Sequence, residues 1–439
     1  MKKFAKIAVA AALTVCGVLG FAGCDKVEGT LTDAPNKGVV AGVSENVGKY
    51  SAIAYYELDR PDDVKIPFET EKIQKVSFKY RVLDSKEYKF KDDTLTVKKS
   101  VFKSETAGDK RLRIFVDNQY VEVTVRVVTK VIYNTEDFNS MRSNLNGAYV
   151  LGADIDFGNE EFWPIGKSIS DKESTATFEG IFDGMGYSVK NITINAYDNG
   201  EGEDNLGQGP SLDGNKGENG RNYNNGIFMS TGGSAQIINT NFVNITVNCQ
   251  GLSGSIAGFN GGLIKNCKVT CTLNTNGDYS ERAGGIAGIN GSVDANGRIE
   301  NCIVFYSWTG KVPSRGIADW NSGVIKNSFA ALKDDYVFHM GYDSETKSIP
   351  EDFDYDEYIT LDNFTTYGLG WYTSPAFPGS MGWVDGELKY YKGGDIENSD
   401  VVRKEFFLDP ANFPEEEGWD KDIWNFTYGA YPSLKTQNR

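Results

Sequence analysis

Charged side chains of both signs recur together between residues 282 and 319. The group consists of Arg282, Arg298 and Arg315 with the carboxylates Asp294, Glu300 and Asp319. Carboxylates serve as general acids and bases and arginines bind anionic sugars, so the group suits an enzyme acting on polysaccharides. An inverting hydrolase would need two of the carboxylates about 6.5–9.5 Å apart in one groove. A solvated surface is the alternative, and we favour it because single charges of this kind are common on protein exteriors.

Aromatic side chains cluster between residues 367 and 391. The cluster contains Trp371, Tyr372, Phe377, Trp383, Tyr390 and Tyr391. Exposed aromatic rings stack on sugar faces or anchor protein interfaces, so every member except Phe377 is a candidate ligand contact. The alternative, which we favour, is that the same rings are buried as a cap over the end of the fold.

Other kinds of catalytic or metal site lack their usual residues. His339 is the only histidine, and the chain has neither a CxxC nor an HExxH pattern. We therefore predict no metal site, no cofactor and no Ser–His or Cys–His catalysis, and we expect His339 to be structural.

A polar run over residues 197–225 is crowded with Gly, Asn, Asp and Glu. Its carboxylates offer the hard oxygen ligands that calcium prefers. They are Asp198, Glu201, Glu203, Asp204 and Asp213. Because the run lacks the ordered spacing of a calcium loop, we predict a flexible insertion that is too polar to bury itself.

Length, composition and charge restrict the class of protein. A chain of 439 residues predicts two or three domains, and 49 glycines with 13% aromatics indicate many short strands joined by tight turns. The formal net charge is −16. An acidic surface of this size repels nucleic acid, so we expect no nucleic-acid partner.

The N-terminus has the features of a bacterial export signal. Three lysines among the first six residues precede an apolar run over residues 7–19. The next residues, Phe21-Ala22-Gly23-Cys24, resemble the lipobox of bacterial lipoprotein signals, in which small residues precede a cysteine that receives diacylglycerol. The resemblance implies that residues 1–23 are removed, that Cys24 carries lipid and that residues 24–38 form a tether. We expect an exported protein held at the cell membrane or cell surface by its lipid.

Residues 39–131 alternate apolar and polar side chains with period two, which predicts β-strands. The apolar faces are Val76, Phe78 and Tyr80; Leu112, Ile114 and Val116; and Val121, Val123, Val125 and Val127. A short polar turn, Asp117-Asn118, separates the last two faces and predicts a hairpin. Several strands in about 90 residues fit a β-sandwich. The stretch resembles the immunoglobulin-like modules of bacterial surface proteins, for which a spacer role is expected.

From residue 132 a short pattern recurs, consisting of an apolar residue, any residue and then Asn. The pattern ends at Asn191, Asn239, Asn266, Asn301 and Asn327, each with a glycine-rich stretch upstream. The Asn-to-Asn spacings are about 20–35 residues when the residues of the polar run are subtracted from the first spacing. Such spacings are typical of stacked β coils. We predict a parallel β-helix over residues 132–345, with the five asparagines forming a hydrogen-bonded ladder at one corner. Residues 346–439 would supply the last coils and the cap.

Two glycine-rich stretches, Gly254-Ser255-Ile256-Ala257-Gly258 and Gly284-Gly285-Ile286-Ala287-Gly288, resemble the repeat called the GLUG motif. Trp163-Pro164-Ile165-Gly166 and the stretch from Phe178 to Gly184 resemble the opening coils of the same bacterial surface proteins, some of which accompany IgA-specific metallopeptidases. The resemblance implies a right-handed parallel β-helix exposed on a cell surface. It does not imply peptidase activity, because HExxH is absent.

The residues leave two hypotheses for function. The first is a non-catalytic adhesin or scaffold, anchored in the membrane by lipid, that binds a glycan or a host protein. The second is a β-helix polysaccharide lyase or glycoside hydrolase that uses carboxylates and arginines on one face. Cys249, Cys267, Cys271 and Cys302 leave disulfide pairing open, and we expect Cys267 and Cys302 to be core thiols.

Overall fold

The computed structural model describes residues 49–50, 53–70, 72–116, 119–166, 177–195, 225–249, 252–275, 282–292, 295–309, 315–332, 381–384, 387–390 and 395–436. Strands make up most of the regular structure in these residues. The helices are short: α1 spans Thr135–Asn139, and 3₁₀ turns span Lys99–Val101, Ser140–Ser143, Lys404–Leu408, Pro410–Asn412 and Glu415–Glu417. The prediction of an all-β chain is confirmed. Within the described part, no helix has the length and apolar character needed to cross a membrane.

Nine strands form the N-terminal part of the molecule. They are β1 (Lys49–Tyr50), β2 (Ala54–Glu57), β3 (Val64–Glu69), β4 (Lys75–Phe78), β5 (Arg81–Val82), β6 (Tyr88–Lys91), β7 (Thr94–Val97), β8 (Gly108–Val116) and β9 (Gln119–Val128). One sheet has the order β1-β3-β7-β6 and the other β2-β9-β8-β4-β5. Neighbouring strands are antiparallel except β2 and β9. Side chains from both sheets, including Ile66 and Leu112, share one buried core.

The period-two alternation sets which side chains of the longest hairpin face this core. The buried positions are Leu112, Ile114 and Val116 in β8 and Val121, Val123, Val125 and Val127 in β9. Val116 lies opposite Gln119, so the two strands form an antiparallel hairpin. The predicted turn at residues 117–118 lies outside the described residues.

The strand face predicted at Val76, Phe78 and Tyr80 contains only the first two of these residues. Val76 and Phe78 are buried in β4, but Tyr80 has φ of 68° and is 72% exposed. Phe78 pairs directly with Arg81, so Lys79 and Tyr80 form a two-residue hairpin turn. Both turn residues have positive φ, as the right-handed twist of the flanking strands favours. Tyr80 is therefore a surface turn residue.

Parallel strands dominate the rest of the described chain. They are β10 (Lys130–Ile132), β11 (Ala148–Leu151), β12 (Ile155–Asp156), β13 (Ile181–Asp183), β14 (Ser188–Asn195), β15 (Phe228–Thr231), β16 (Gln236–Ile238), β17 (Asn241–Cys249), β18 (Leu252–Gly254), β19 (Ala257–Asn260), β20 (Leu263–Lys265), β21 (Lys268–Thr275), β22 (Arg282–Gly284), β23 (Ala287–Asn290), β24 (Arg298–Glu300), β25 (Ile303–Thr309), β26 (Ala318–Asn321), β27 (Val324–Lys326) and β28 (Phe329–Leu332). After an antiparallel hairpin of β29 (Met381–Val384) and β30 (Glu387–Tyr390), two more parallel strands follow, β31 (Asp395–Glu397) and β32 (Asp400–Val401).

Three parallel sheets receive these strands in turn. Sheet I has the order β10-β11-β13-β16-β20-β24-β27-β31, and sheet II has the order β12-β14-β17-β21-β25-β28-β32. Sheet III has the order β15-β19-β23-β26, and β18 pairs separately with β22. The chain therefore passes from sheet I to sheet II, and through the middle of the stack also to sheet III, before it returns to sheet I. Each pass through the sheets is called a repeat below.

Equivalent residues of successive repeats lie directly above one another in the interior. Along sheet I the stacked residues are Phe182, Ile237, Ile264, Ile299 and Ile325. All five are fully buried in a single apolar core that continues through the stack. Burying one such side chain contributes about 1.5–3 kcal/mol, so the repeated apolar positions are the main source of stability.

The final segment, residues 404–436, packs against the outer face of sheet II. It ends in β33 (Trp424–Asn425) and β34 (Ser433–Leu434). Trp419 and Trp424 are fully buried and share an apolar cluster with Phe305 and Phe329 of sheet II. The cluster covers the outward-facing apolar residues of sheet II that the interior cannot bury.

The same segment runs lengthwise across successive repeats. The Glu417 carbonyl accepts hydrogen bonds from Asn301 Nδ2 at 3.1 Å and from Asn327 Nδ2. Lys268 Nζ, one repeat earlier than Asn301, donates to Pro432 O at 2.7 Å. These contacts lie along the flank of the stack. Most of the aromatic stretch predicted as a cap, residues 367–391, lies outside the described residues.

A buried arginine joins the N-terminal sheets to the parallel sheets. Arg126 of β9 is fully buried and forms a bidentate pair with Asp109, at 2.7 and 3.2 Å. Arg126 Nη1 also donates to Asp183 Oδ2 of sheet I at 3.2 Å. Burial acts to lower the pKa of Arg126, but the charges and hydrogen bonds of its carboxylate partners outweigh burial and raise it. The guanidinium therefore stays charged and bridges both parts of the molecule.

Candidate ligand-binding site

Four of the five predicted asparagines form one row at the end of sheet I. Asn239, Asn266, Asn301 and Asn327 each follow a sheet I strand, with φ between 47° and 52°. Asparagine adopts this left-handed conformation more readily than most residues. Asn266 Nδ2 donates to Asn239 Oδ1 at 3.1 Å, and Asn239 Nδ2 donates to Asp183 Oδ1 at 3.2 Å. All four side chains are buried, so the row is part of the framework.

Asn191, the fifth predicted member, belongs to a different row. It lies inside β14 of sheet II, where the register aligns it with Asn244 of β17. Asn244 Nδ2 donates to Asn191 Oδ1, and Asn191 Nδ2 donates to Asp156 Oδ1, both at 2.8 Å. In sheet I, Asp183 pairs with Ile238. The residue equivalent to Asn239 in the preceding repeat is therefore Gly184. Asn191 and Asn244 both have positive φ, 56° and 57°, so the apolar-x-Asn pattern at residues 189–191 marks a bend in sheet II.

A further row, which sequence analysis missed, is buried in sheet III. Asn260 Nδ2 donates to Asn290 Oδ1, and Asn290 Nδ2 donates to Asn321 Oδ1, both at 2.8 Å. Thr231 Oγ1 donates to Asn260 Oδ1 at 2.9 Å and begins the row. A sequence pattern for it exists, because each asparagine stands four residues after the Ile of a Gly-x-Ile-Ala or Gly-Ile-Ala stretch. All four side chains are buried.

The outer face of sheet II carries two parallel rows of polar side chains beyond its bend. One row is Thr193, Thr246, Thr272 and Ser307, and the other is Asn195, Asn248, Asn274 and Thr309. The amides of the second row are linked, since Asn274 Nδ2 donates to Asn248 Oδ1 at 2.8 Å and Thr309 Oγ1 donates to Asn274 Oδ1 at 2.8 Å. These side chains are half-buried or exposed, unlike those of the other two rows. We call this surface the Thr/Asn face.

A cleft of about 780 Å³ opens beside the first strand of sheet II. Its lining includes Arg142 after α1 and most of the stretch from Asp156 to Gly166. The connection from β12 turns sharply here, with positive φ at Gly158 and Asn159. The cleft thus lies beside β12, which is the first strand of sheet II among the described residues.

An exposed tryptophan and three carboxylates give this cleft its chemistry. Trp163 is 50% exposed, whereas its neighbour Phe162 is buried. Asp156, Glu160 and Glu161 are exposed on the same lining. The hydrogen bond from Asn191 lowers the pKa of the Asp156 carboxyl, so this group stays ionised at neutral pH. An indole beside carboxylates suits a ligand with an apolar face and hydroxyl or amine donors.

Arg142 organises the wall of the cleft. Its guanidinium donates to Pro164 O at 2.7 Å, to Trp163 O and to Asn139 Oδ1 at 3.2 Å. It also lies 5.2 Å from the centre of the Phe162 ring. Burial lowers the pKa of Arg142. Because its donors are directed at the chain around Trp163, Arg142 holds the tryptophan in place.

The described side chains of the charged group predicted between residues 282 and 319 form two separate pairs. Arg298 pairs with Glu300 on the surface of sheet I. Arg315 and Asp319 are both buried and lie 3.9 Å apart beside sheet III. Arg282 lies in β22, and Asp294 lies outside the described residues.

Several other predicted site residues lie outside the described part of the chain. They are Cys24, Asp198, Glu201, Glu203, Asp204, Asp213, His339, Trp371, Tyr372 and Tyr391. Trp383 and Tyr390 lie on the β29–β30 hairpin. Trp163, an exposed tryptophan among the described residues, belongs to a stretch that resembles a family motif, and nothing in its sequence pattern indicates a ligand contact.

The four remaining cysteines are buried free thiols. Burial is the main cause that raises the pKa of the Cys267 thiol, and the neighbouring Cys302 raises it further. The thiols therefore behave as small apolar core groups. Among the residues that the structure describes, no group of three His, Cys, Asp or Glu side chains is arranged to hold a metal ion.

Comparison with known proteins gives little further information. No protein-family model matches the chain, and none of the curated proteins matches it. Among solved structures, an IgA1 protease is similar with a TM-score of 0.27 and 12% sequence identity. The similarity covers 82% of this chain and 25% of that protein, so the chain spans about a quarter of its length.

Proposed function

We propose that this protein is an exported bacterial lipoprotein that binds a ligand at the cell surface without converting it. The cleft around Trp163 is the observation that carries the proposal, because it combines an exposed indole with carboxylates on a rigid edge. Ligand-binding sites are usually concave and carry a few polar groups that orient the ligand. The ligand in this proposal is a glycan or a protein.

The architecture proposed for this function is a stalk followed by a stacked-repeat domain. Nine strands around one core support an immunoglobulin-like sandwich over residues 39–131. Three parallel sheets that receive strands in turn support a parallel β-helix, with its asparagine rows acting as ladders. Cys24 would tether this rod to the membrane, and the resemblance to GLUG-motif surface proteins agrees with that arrangement.

The way in which the polar groups of the cleft are used supports binding rather than turnover. Arg142 is held by backbone carbonyls, and Asp156 and Glu161 accept hydrogen bonds from asparagine side chains at 2.8 Å. These contacts orient the polar groups of the cleft. The β-helix enzyme of our second hypothesis would instead need a carboxylate that titrates during the reaction.

A glycan and protein array probed with residues 25–439 tests the proposal. Trp163→Ala should weaken binding of the selected ligand about tenfold or more, because an exposed indole supplies most of the contact area in such a site. Tyr428→Ala removes an aromatic ring that is 82% exposed on the final segment and should leave binding unchanged. Equal affinity of the wild-type and Trp163→Ala proteins for every ligand would refute the cleft as the site.

A further inference from the structure

The Thr/Asn face repeats one short unit in four successive strands of sheet II. The units are Thr193-Ile194-Asn195, Thr246-Val247-Asn248, Thr272-Leu273-Asn274 and Ser307-Trp308-Thr309. The register pairs each unit with the next, so equivalent hydroxyls and amides lie one above another. Neighbouring strands are about 4.8 Å apart, and the four units therefore span about 14 Å.

In the first three units, interior packing accounts for the middle residue but not for the two outer ones. Ile194, Val247 and Leu273 point into the core and are fully buried. The outward-facing apolar residues earlier in the same strands, such as Phe305, are covered by the final segment. Beyond the bend the outward residues change to hydroxyls and amides, and they are partly exposed.

The Thr/Asn face begins at the cleft. Glu161 forms a parallel bridge with Thr193, and its Oε1 accepts a hydrogen bond from Asn195 Nδ2 at 2.8 Å. Glu161 and Trp163 are exposed while Phe162 between them is buried, so both project from the outer side. Glu161 lines the cleft and also pairs with Thr193, so the cleft and the face adjoin at this residue and together form the candidate surface, with Trp163 two residues further along.

We propose that this surface binds an extended neutral or amine-bearing oligosaccharide, with one end on Trp163 and the chain laid along the Thr/Asn face. This inference rests on the proposed function, because it names the ligand class and path for the same cleft. Hydroxyl and amide side chains both donate and accept hydrogen bonds, which matches sugar hydroxyls. None of the eight side chains on the face is charged. The carboxylates at its head repel uronic or sulfated chains, so a polyanion does not fit.

The path predicts that affinity depends on ligand length. A sugar on Trp163 alone uses only the cleft, whereas each added residue reaches further hydroxyls and amides. Each hydrogen bond of this kind is worth about 0.5–1.5 kcal/mol, which is about two- to tenfold in affinity. Affinity should therefore rise with chain length and level off once the ligand passes Ser307 and Thr309.

Titration calorimetry on residues 25–439 with length series of neutral, amino-sugar and uronic-acid oligosaccharides tests the proposal. The double variant Thr246→Val, Thr272→Val keeps side-chain shape and β-propensity but removes two hydroxyls from the face. It should weaken binding of the longest neutral or amino-sugar ligand about fourfold or more and leave the shortest ligand unaffected. Thr246→Ser, Thr272→Ser restores both hydroxyls and should restore affinity. Thr124→Val, a half-buried threonine of β9, is the matched control and should bind like the wild type.

The outcomes separate the two proposals. Length-independent binding that Trp163→Ala abolishes would overturn the Thr/Asn path and leave the cleft as a short site. Preferential binding of the uronic-acid series would overturn the ligand class. Failure of every saccharide to bind would overturn this inference, while a protein ligand lost in Trp163→Ala would still uphold the proposed function.

Discussion

Arg126 is the residue on which the junction between the two parts of the molecule depends. It is fully buried, and its partners Asp109 and Asp183 lie on different sheets. Replacing Arg126 by Met keeps the volume but leaves two buried carboxylates without their counter-charge. We expect the free energy of unfolding to fall by about 3–5 kcal/mol, measured by urea denaturation.

A matched control for this variant is Arg113→Met. Arg113 pairs with Glu122 at 2.9 Å on the same hairpin, but it is partly exposed to water. Removing that pair should cost no more than about 1 kcal/mol. Equal effects of the two substitutions would show that Arg126 is not a bridging residue.

Asn266 contributes both a backbone conformation and a side-chain amide. Its φ is 52°, and its amide donates to Asn239. Asn266→Gly keeps the conformation accessible and removes only the amide, which should cost about 1–3 kcal/mol because buried partners lose hydrogen bonds. Asn266→Leu should cost about 1–2 kcal/mol more, because a branched side chain is strained at positive φ. Thermal unfolding of both variants measures the two costs, and stability equal to wild type in both would contradict a structural row.

The sequence indicated most members of the asparagine row in sheet I, but not all of its limits. The apolar-x-Asn pattern identified Asn239, Asn266, Asn301 and Asn327, since few residues other than glycine tolerate the left-handed corner. The pattern carries no information on register, so it also included Asn191, which lies at a bend of sheet II. Trp163 could not be chosen from the sequence as a ligand contact, because exposure depends on the edge that α1 and Arg142 build around it.

Among the elements, the final segment has the clearest energetic role. Trp419 and Trp424 are fully buried against sheet II, and Phe305 and Phe329 are buried by the same cluster. Trp419→Ala should lower the free energy of unfolding by about 3–5 kcal/mol through loss of packing and formation of a cavity. Tyr428→Ala, at an exposed position of the same segment, should change it by no more than about 0.5 kcal/mol.

Removal of residues 404–439 tests whether the whole final segment stabilises the molecule. We expect the truncated protein to bind a hydrophobic dye and to unfold at a lower temperature, because the outer apolar residues of sheet II become exposed. A truncated protein with the melting temperature of the full chain would refute the stabilising role.

The sequence predicted a cap within residues 346–439 but not the surface that the final segment covers. Aromatic residues spaced among polar ones show that a segment must be covered, yet they do not identify its partner. The outward-facing Phe305 and Phe329 supply that partner, and nothing in the local pattern distinguishes an outward from an inward apolar residue until the strand registers are known. The hairpin of β8 and β9 was easier, because both its pairing and its buried face follow from local alternation.

For the whole molecule, the lipobox-like end of the export signal predicts where the mature chain begins. We expect Cys24 to be the mature N-terminus and to carry lipid, so that Cys24→Ala releases the protein from the membrane fraction. Mass spectrometry of the purified protein checks the site of cleavage. Cleavage elsewhere, or unchanged membrane association of Cys24→Ala, would contradict this prediction.

The repeat organisation of the molecule was accessible from sequence because each repeat must present the same residue types at the same position. Ile237, Ile264, Ile299 and Ile325 stack in register as that requirement demands. The cleft was not accessible, since it forms where the repeats begin and the regular pattern does not yet apply. The exposed Thr-x-Asn units carry a pattern, but an alternation of this kind is equally typical of any half-buried strand.

Binding without turnover is the central claim, and one measurement tests it directly. Residues 25–439 are incubated with the neutral, amino-sugar and uronic-acid oligosaccharide series at concentrations that saturate binding, and the ligands are then analysed by mass spectrometry. We predict that a bound oligosaccharide is recovered intact, and that Trp163→Ala loses the binding. Release of shorter products that is abolished by changing Asp156, Glu160 or Glu161 to its amide would contradict the account and establish an enzyme.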